Sequence, residues 1–197
     1  MFILRGFFDK YIVKRARLDV ATALANVDEW TDLVAEDIYH RQGGLRLTNI
    51  DSLAISRMAQ SLENEIGFNS DLSRSSARKQ AATGVHALDW HQDYAGMELK
   101  PGQEGMVAWV PLDHIDHTRP GLEIAQSVEP IPHYRDERRF LQASYFIPTK
   151  NNTIIIDNLP LGDVVLLSPY EPHRTHRTPA MTQTRFSLDM RFYGPAR

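Results

Sequence analysis

The first stretch with a clear period runs from Asp19 to about His40. Val20, Leu24, Val27, Trp30, Leu33, Val34 and Ile38 recur there at helical spacing and predict an amphipathic helix. The pair Gly43-Gly44 interrupts this pattern. A second helix is expected from Asp51, as N-cap, through Ile66, with Leu53, Ile55, Met58, Leu62 and Ile66 as its apolar face. Beyond Asn69 the texture changes to short β-favouring runs between turn residues: GVHALDWHQDY, GMVAWVPLD, GLEIAQSV, ASYFIP, NTIIID, GDVVLLS and TRFSLDMRFY. In the last run Phe186, Leu188, Met190 and Phe192 alternate with Arg185, Ser187, Asp189 and Arg191, the period of a half-buried antiparallel strand. The pattern predicts a mainly β fold, a sandwich or small barrel decorated by N-terminal helices. A single domain is expected over residues 1–197, with a helical part to about residue 68 and a β core from about 69 onward.

Composition narrows the chemistry. The chain has 197 residues and no cysteine, so disulfides, thiolate metal sites and cysteine nucleophiles are all excluded. Any metal must be held by His, Asp and Glu, a ligand set that suits iron, manganese or zinc. A net charge of -3 gives no global reason to expect nucleic acid or an anionic membrane as partner. The opening apolar run is broken by Arg5 and Asp9, too short for a signal sequence or a span, and a cytoplasmic protein is the default expectation.

Two places carry candidate chemistry. In DWHQDY, His91 and Asp93 stand two apart, so on a strand they share a face and begin a metal site. A distal histidine would complete two histidines and a carboxylate with three open positions, which suits non-haem Fe(II). The stretch SPYEPHRTHRTP offers His173 and His176, whose odd separation turns them to opposite faces of an extended chain. With TRFSLDMRFY it reads as a hairpin turning near Thr178 to Met181, which sets His173 opposite Arg185; Ser187 shares that face. His176 remains the alternative distal ligand. His86 is expected to face away from the metal, and His114 and His117 to lie with Asp113 and Asp116 on a solvated loop. Trp90 and Tyr94 read as packing residues, and Arg174, His176 and Arg177 as a rim.

Taken in order, these segments resemble the phytanoyl-CoA dioxygenase-like (PhyH) branch of the Fe(II)/2-oxoglutarate-dependent oxygenases. FILRGFF is similar to the family's opening strand, WHQD to its H-x-D motif, VAWVPLD to the following strand, GDVVLLSPYEPH to the run into the distal histidine and TRFSLDMRF to the arginine strand. The resemblance implies a double-stranded β-helix (jelly-roll) core. It implies His91, Asp93 and His173 as iron ligands, with Arg185 binding the distal carboxylate of 2-oxoglutarate, Ser187 assisting and Trp109 lining the cosubstrate pocket. Because Asp93 is present, where related halogenases have a small residue, it implies oxidation of a small-molecule metabolite by O2, with release of succinate and CO2. The chain is short for the family, and GLEIAQSVEP stands where a PGSH-like ending is usual. Two alternatives are a non-catalytic jelly-roll binding protein and a cupin-like hydrolase or isomerase using zinc or manganese.

Overall fold

A computed structural model describes residues 1–25, 44–83, 89–126, 131, 148–149 and 152–196. In chain order the elements are β1 (Phe2–Leu4), α1 (Lys10–Leu24), β2 (Gly44–Arg46), a single 3-10 turn (Leu47–Asn49), α2 (Leu53–Ile66), β3 (Asn69–Ser70) and β4 (Ser76–Gln80). There follow α3 (Tyr94–Met97), β5 (Gln103–Pro111), β6 (Gly121–Ala125), β7 (Thr153–Ile156), β8 (Val164–Leu167), β9 (His173–His176) and β10 (Arg185–Pro195). The fold is mainly β and its strand pairs are antiparallel, consistent with a jelly-roll or cupin-like arrangement. A large sheet runs β1-β8-β5-β10-β4-β2, with β3 added to β10, and a small one runs β7-β6-β9.

Alternation along the large sheet builds two cores. Ala108, Val110, Val164, Leu166, Phe186, Leu188, Met190 and Phe192 pack against Val13, Val20 and Leu24 of α1 and Ile55, Met58 and Leu62 of α2. Their sequence neighbours Val107, Trp109, Val165 and Leu167 face Leu122, Ile124 and Ile156 of the small sheet. The molecule is thus layered as helices, large sheet and small sheet, each strand serving one core with its even and the other with its odd positions. No helix among the described residues is long and apolar enough to cross a membrane.

The helices differ from expectation at their starts. α1 begins nine residues before Asp19, capped by the Asp9 carboxylate, which accepts from the Tyr11 amide at 2.7 Å. Its buried stripe of Val13, Ala16, Val20 and Leu24 was hidden because Ala16 sits between Arg15 and Arg17. The expected continuation through Val27, Trp30, Leu33, Val34 and Ile38 lies outside the described residues. α2 is capped by Ser52 rather than Asp51: the Ser52 hydroxyl accepts from the Ile55 amide at 3.2 Å and itself donates to Asp19 at 2.6 Å. That cap leaves Leu53 in the exposed first turn and makes Ala54, Ile55, Met58, Ala59 and Leu62 the buried face.

The expected hairpin does not form. β9 pairs with β6 in the small sheet, whereas β10 lies between β5 and β4 in the large one. A turn is present at Thr178 to Met181, closed by a 3.1 Å bond from the Met181 amide to the Thr178 carbonyl, but it carries the chain from one sheet to the other. His173 and Arg185 therefore meet in the space between the sheets and not as cross-strand neighbours.

Candidate metal centre

β10 supplies the floor of the site. Its apolar positions face the helices, so Arg185, Ser187, Asp189 and Arg191 all point between the sheets, where Arg185 is 2% exposed and Ser187 fully buried. This polar face is covered rather than solvated, and it was the alternation itself that concealed the difference. Cross-strand partners complete the floor: Arg78 of β4 lies opposite Ser187, and Trp109 of β5 opposite Asp189.

The small sheet and the β4–β5 connection bring the ligands. His91 is not on a regular strand: it makes a single antiparallel bridge with His173, the two exchanging backbone hydrogen bonds of 3.0 and 2.9 Å. Asp93 follows as the N-cap of α3, so a turn rather than strand parity sets its direction. Even so, His91, Asp93 and His173 converge, with one ligand atom from each lying within 4.8 Å of the others. The His173 Nε2 stands 3.5 Å from the Asp93 Oδ2. Ligands at about 2.1 Å from an octahedral divalent ion are separated by about 3 to 4.2 Å, so only a slight contraction would close the cluster on a metal.

The tautomers follow from local contacts. Nδ1 of His91 lies 2.7 Å from the Asp89 carbonyl, and Nδ1 of His173 lies 3.0 Å from the Glu171 carbonyl. A carbonyl only accepts, so both Nδ1 atoms carry the proton, and in the neutral tautomer this leaves the lone pair on Nε2, the atom a metal would take. Burial, and then the neighbouring His173, push the His91 pKa down to about 3, so its ring stays neutral. For Asp93, burial alone would favour the acid form, but Arg191, His173 and His91 together hold its carboxyl well below the ordinary range. Arg191 donates to Oδ1 of Asp93 at 3.0 Å.

Around the same cavity, cations and carboxylates pair off: Arg78 is bound to Asp189 and Arg191 to Asp93. Arg174, at the edge between this cavity and the one on the other face of the small sheet, is bound to Glu123. Arg185 differs: among the described residues no carboxylate lies within 4.0 Å of it. Its Nη1 donates to the carbonyls of Pro120 at 3.3 Å and Gly121 at 3.0 Å, and its Nε has no partner. Burial lowers its pKa to about 10. The Ser187 hydroxyl and the Trp109 indole N–H are likewise buried without partners, and the guanidinium lies 5.2 Å from the Trp109 ring. Three unanswered polar groups in one buried place are costly unless a polar ligand belongs there.

No family model and no curated protein matches the sequence. Solved structures do. EvdO2 from Micromonospora carbonacea var. aurantiaca, complexed with 2-oxoglutarate, is 18% identical over 99% of this chain and 86% of its own, with a TM-score of 0.66. A second EvdO2 structure aligns at 0.51 over 74% of this chain and 61% of its own, so there the match spans less than two thirds of the larger protein. The epimerase SnoN, in complex with Fe3+, α-ketoglutarate and nogalamycin RO, is 12% identical over 99% and 80% of the two chains, at 0.65. The non-haem α-ketoglutarate-dependent carbocyclase SnoK is 15% identical over 97% and 78%, at 0.61. At such identities the likeness is one of fold.

Of the six residues singled out by sequence, all line or adjoin this cavity. His91, Asp93, Trp109, His173 and Arg185 line it, and Ser187 lies between Arg185 and Asp189 on the same face of β10. His176 projects with Arg174 and Glu123 from the other face of the small sheet, toward a separate cavity, and is not gathered into the cluster. His86 lies outside the described residues. His114 and His117 are exposed, while Asp113 is taken by Arg17 and Asp116 by Thr118. Trp90 is buried against Arg174, and the Tyr94 ring lies 5.3 Å from that of Tyr170. Sequence reading missed Arg78, Asp189 and Arg191 as parts of the site; for Asp189 and Arg191 the shared parity with Arg185 was the available signal, whereas Arg78 comes in only through the pairing of β4 with β10.

Proposed function

We propose that this chain is a non-haem Fe(II)- and 2-oxoglutarate-dependent oxygenase with a double-stranded β-helix core, of the phytanoyl-CoA dioxygenase-like kind, acting on a small-molecule metabolite. The carrying observation is that the three-ligand cluster and the unpaired, buried Arg185 share one cavity. His91, Asp93 and His173 would hold the metal through two neutral nitrogens and one carboxylate oxygen, leaving room for a chelating cosubstrate and for O2. Bound iron would supply the activation of O2 and the oxidative decarboxylation that yields succinate and CO2. Arg185 receives the distal carboxylate of 2-oxoglutarate, and Ser187 and Trp109 donate to the same ligand. Val107, Leu122 and Leu167 wall the site and exclude water. Hydroxylation is the proposed outcome, because Asp93 occupies the position a halide would need. A cupin-like hydrolase would use the same three ligands but leave Arg185 unanswered.

The test is anaerobic addition of Fe(II) and 2-oxoglutarate, read as a metal-to-ligand charge-transfer band, then admission of O2 and measurement of succinate. The band appears in the wild type, and both band and succinate disappear in Asp93→Ala. A wild type that binds neither metal nor 2-oxoglutarate overturns the assignment.

A further inference from the structure

The carboxylate of Asp93 has two oxygens, and the structure gives them different neighbours. Oδ2 stands 3.5 Å from the His173 Nε2, inside the ligand cluster. Oδ1 accepts from Nη2 of Arg191 at 3.0 Å. The other arm of the same guanidinium, Nη1, donates to the Gly96 carbonyl at 3.2 Å. Gly96 in turn donates its amide to the Asp93 carbonyl at 2.9 Å, closing the turn that starts α3. One planar fork therefore holds both the side chain of Asp93 and the turn that aims it, a geometry a lysine does not reproduce.

Arg191 is itself held firmly. It is 8% exposed, its amide donates to the Ser75 hydroxyl oxygen at 2.9 Å, and its carbonyl accepts from the Asp71 amide at 2.9 Å. Its Cα is in register with Val107 in the centre of the large sheet. The anchor of the carboxylate thus belongs to an eleven-residue strand paired on both sides, while Asp93 belongs to the turn that starts α3.

The geometry points to Arg191 as a positioning residue that fixes Asp93 as a one-oxygen metal ligand, occupying Oδ1 so that only Oδ2 faces the metal. A carboxylate free to turn could chelate through both oxygens and close a coordination position that a bidentate cosubstrate and O2 need. The inference rests on the metal-binding reading above. It adds that β10 serves both ends of the site, the cosubstrate through Arg185 and the metal carboxylate through Arg191, six residues apart on one face.

Charge and position predict opposite signs, which makes the role testable. Arg191 is a cation near a proposed cation site, so as a mere neighbour its removal would tighten metal binding. As the clamp of Asp93, its removal weakens it, by about 10–100-fold for the loss of such a supporting contact. The experiment titrates Co(II) by calorimetry into wild type, Arg191→Met and Arg191→Lys, and records the visible d–d spectrum at saturating metal. The thermal midpoint of each metal-free protein is measured alongside. Arg191→Met is expected to bind Co(II) at least tenfold more weakly and to show an altered spectrum as Oδ1 is released to the metal. Arg191→Lys, which keeps the charge but not the fork, is expected to fall between the two and keeps the test open if the methionine variant does not fold. Unchanged or tighter binding in a folded variant, or an unchanged spectrum, overturns the role of Arg191 while leaving the metal site standing. A wild type that fails to bind Co(II) removes the metal reading, and this role with it.

Discussion

Replacing Arg185 by methionine should separate stability from binding, and the structure fixes the sign of each. Burial moves the guanidinium from 12.5 to about 10, and at 1.36 kcal/mol per unit this costs the charged form about 3 kcal/mol in the ligand-free protein. The guanidinium is 2% exposed, so solvent screening does little to reduce that figure. Methionine removes this cost and fills much of the same volume. It also removes the hydrogen bonds to the Pro120 and Gly121 carbonyls, worth about 1 kcal/mol each. The two nearly cancel, so the ligand-free variant should lie within about 1–2 kcal/mol of wild type in urea unfolding. Binding behaves differently. A dianion loses a charge-assisted, two-bond partner worth about 3 kcal/mol, and 2-oxoglutarate should bind the Fe(II)-loaded protein about 100-fold more weakly. Fe(II) affinity should not change. If the variant loses more than about 3 kcal/mol of stability, Arg185 is a structural cation whose partner has been misread. If 2-oxoglutarate affinity stays within threefold, the three unpaired groups around Arg185 serve some other ligand.

Other expectations are independent of that one. His173→Ala should abolish metal binding, whereas His176→Ala, altering a side chain on the other face of the small sheet, should leave it within threefold; calorimetry with Co(II) checks both. Gly121→Ala should destabilise the protein by about 3 kcal/mol, because the new Cβ would stand 1.9 Å from the Ile156 carbonyl oxygen and neither paired strand can yield. The same change should weaken 2-oxoglutarate binding by displacing a carbonyl that holds Arg185, and a variant as stable as wild type would contradict it. Stability of the metal-free protein should fall as pH is lowered from about 6.5 toward 3. In the unfolded chain His91 takes up its proton near 6.5, in the folded chain only at about 3, so between these values the unfolded state holds more protons. A flat profile of thermal midpoint over that range would contradict the neutral state of His91 in the folded chain.

The residue types and their order along the chain carried more of this site than the local geometry did. His173 and His176 do face opposite sides of β9, because that parity depends on a single extended segment, and His173 lies in one cluster with the H-x-D pair. What failed depends on partners distant in sequence. The hairpin between β9 and β10 looked natural because the two runs are adjacent and joined by a turn, yet β10 finds β5 and β4, which are far earlier in the chain. His91 and Asp93 converge although they are not on a strand, since a one-residue bridge and a helical turn happen to aim them as strand parity would. The start of α1 was lost for a simpler reason: its buried stripe includes an alanine flanked by two arginines, which lowers local hydrophobicity without altering which face is covered.

The clearest lesson lies in the alternation of β10. A period of two with arginine, serine and aspartate on one face ordinarily means one face in water, and that is how the strand reads in isolation. Here a second sheet lies over the polar face, so four polar side chains must be satisfied without bulk solvent. Asp189 and Arg191 meet this demand with Arg78 and Asp93. Arg185 meets it only in part, through two backbone carbonyls that leave its Nε unpaired, and Ser187 and the nearby Trp109 indole N–H not at all. The strand thus divides into a half paired with carboxylate and guanidinium partners within the protein and a half that keeps buried polar atoms without partners, as the proposed anion site would need. That division, more than any single motif, separates a cavity built for a cosubstrate from a merely polar core. It also fits the two duties proposed for arginines six residues apart, Arg191 orienting the Asp93 carboxylate and Arg185 receiving a carboxylate from outside.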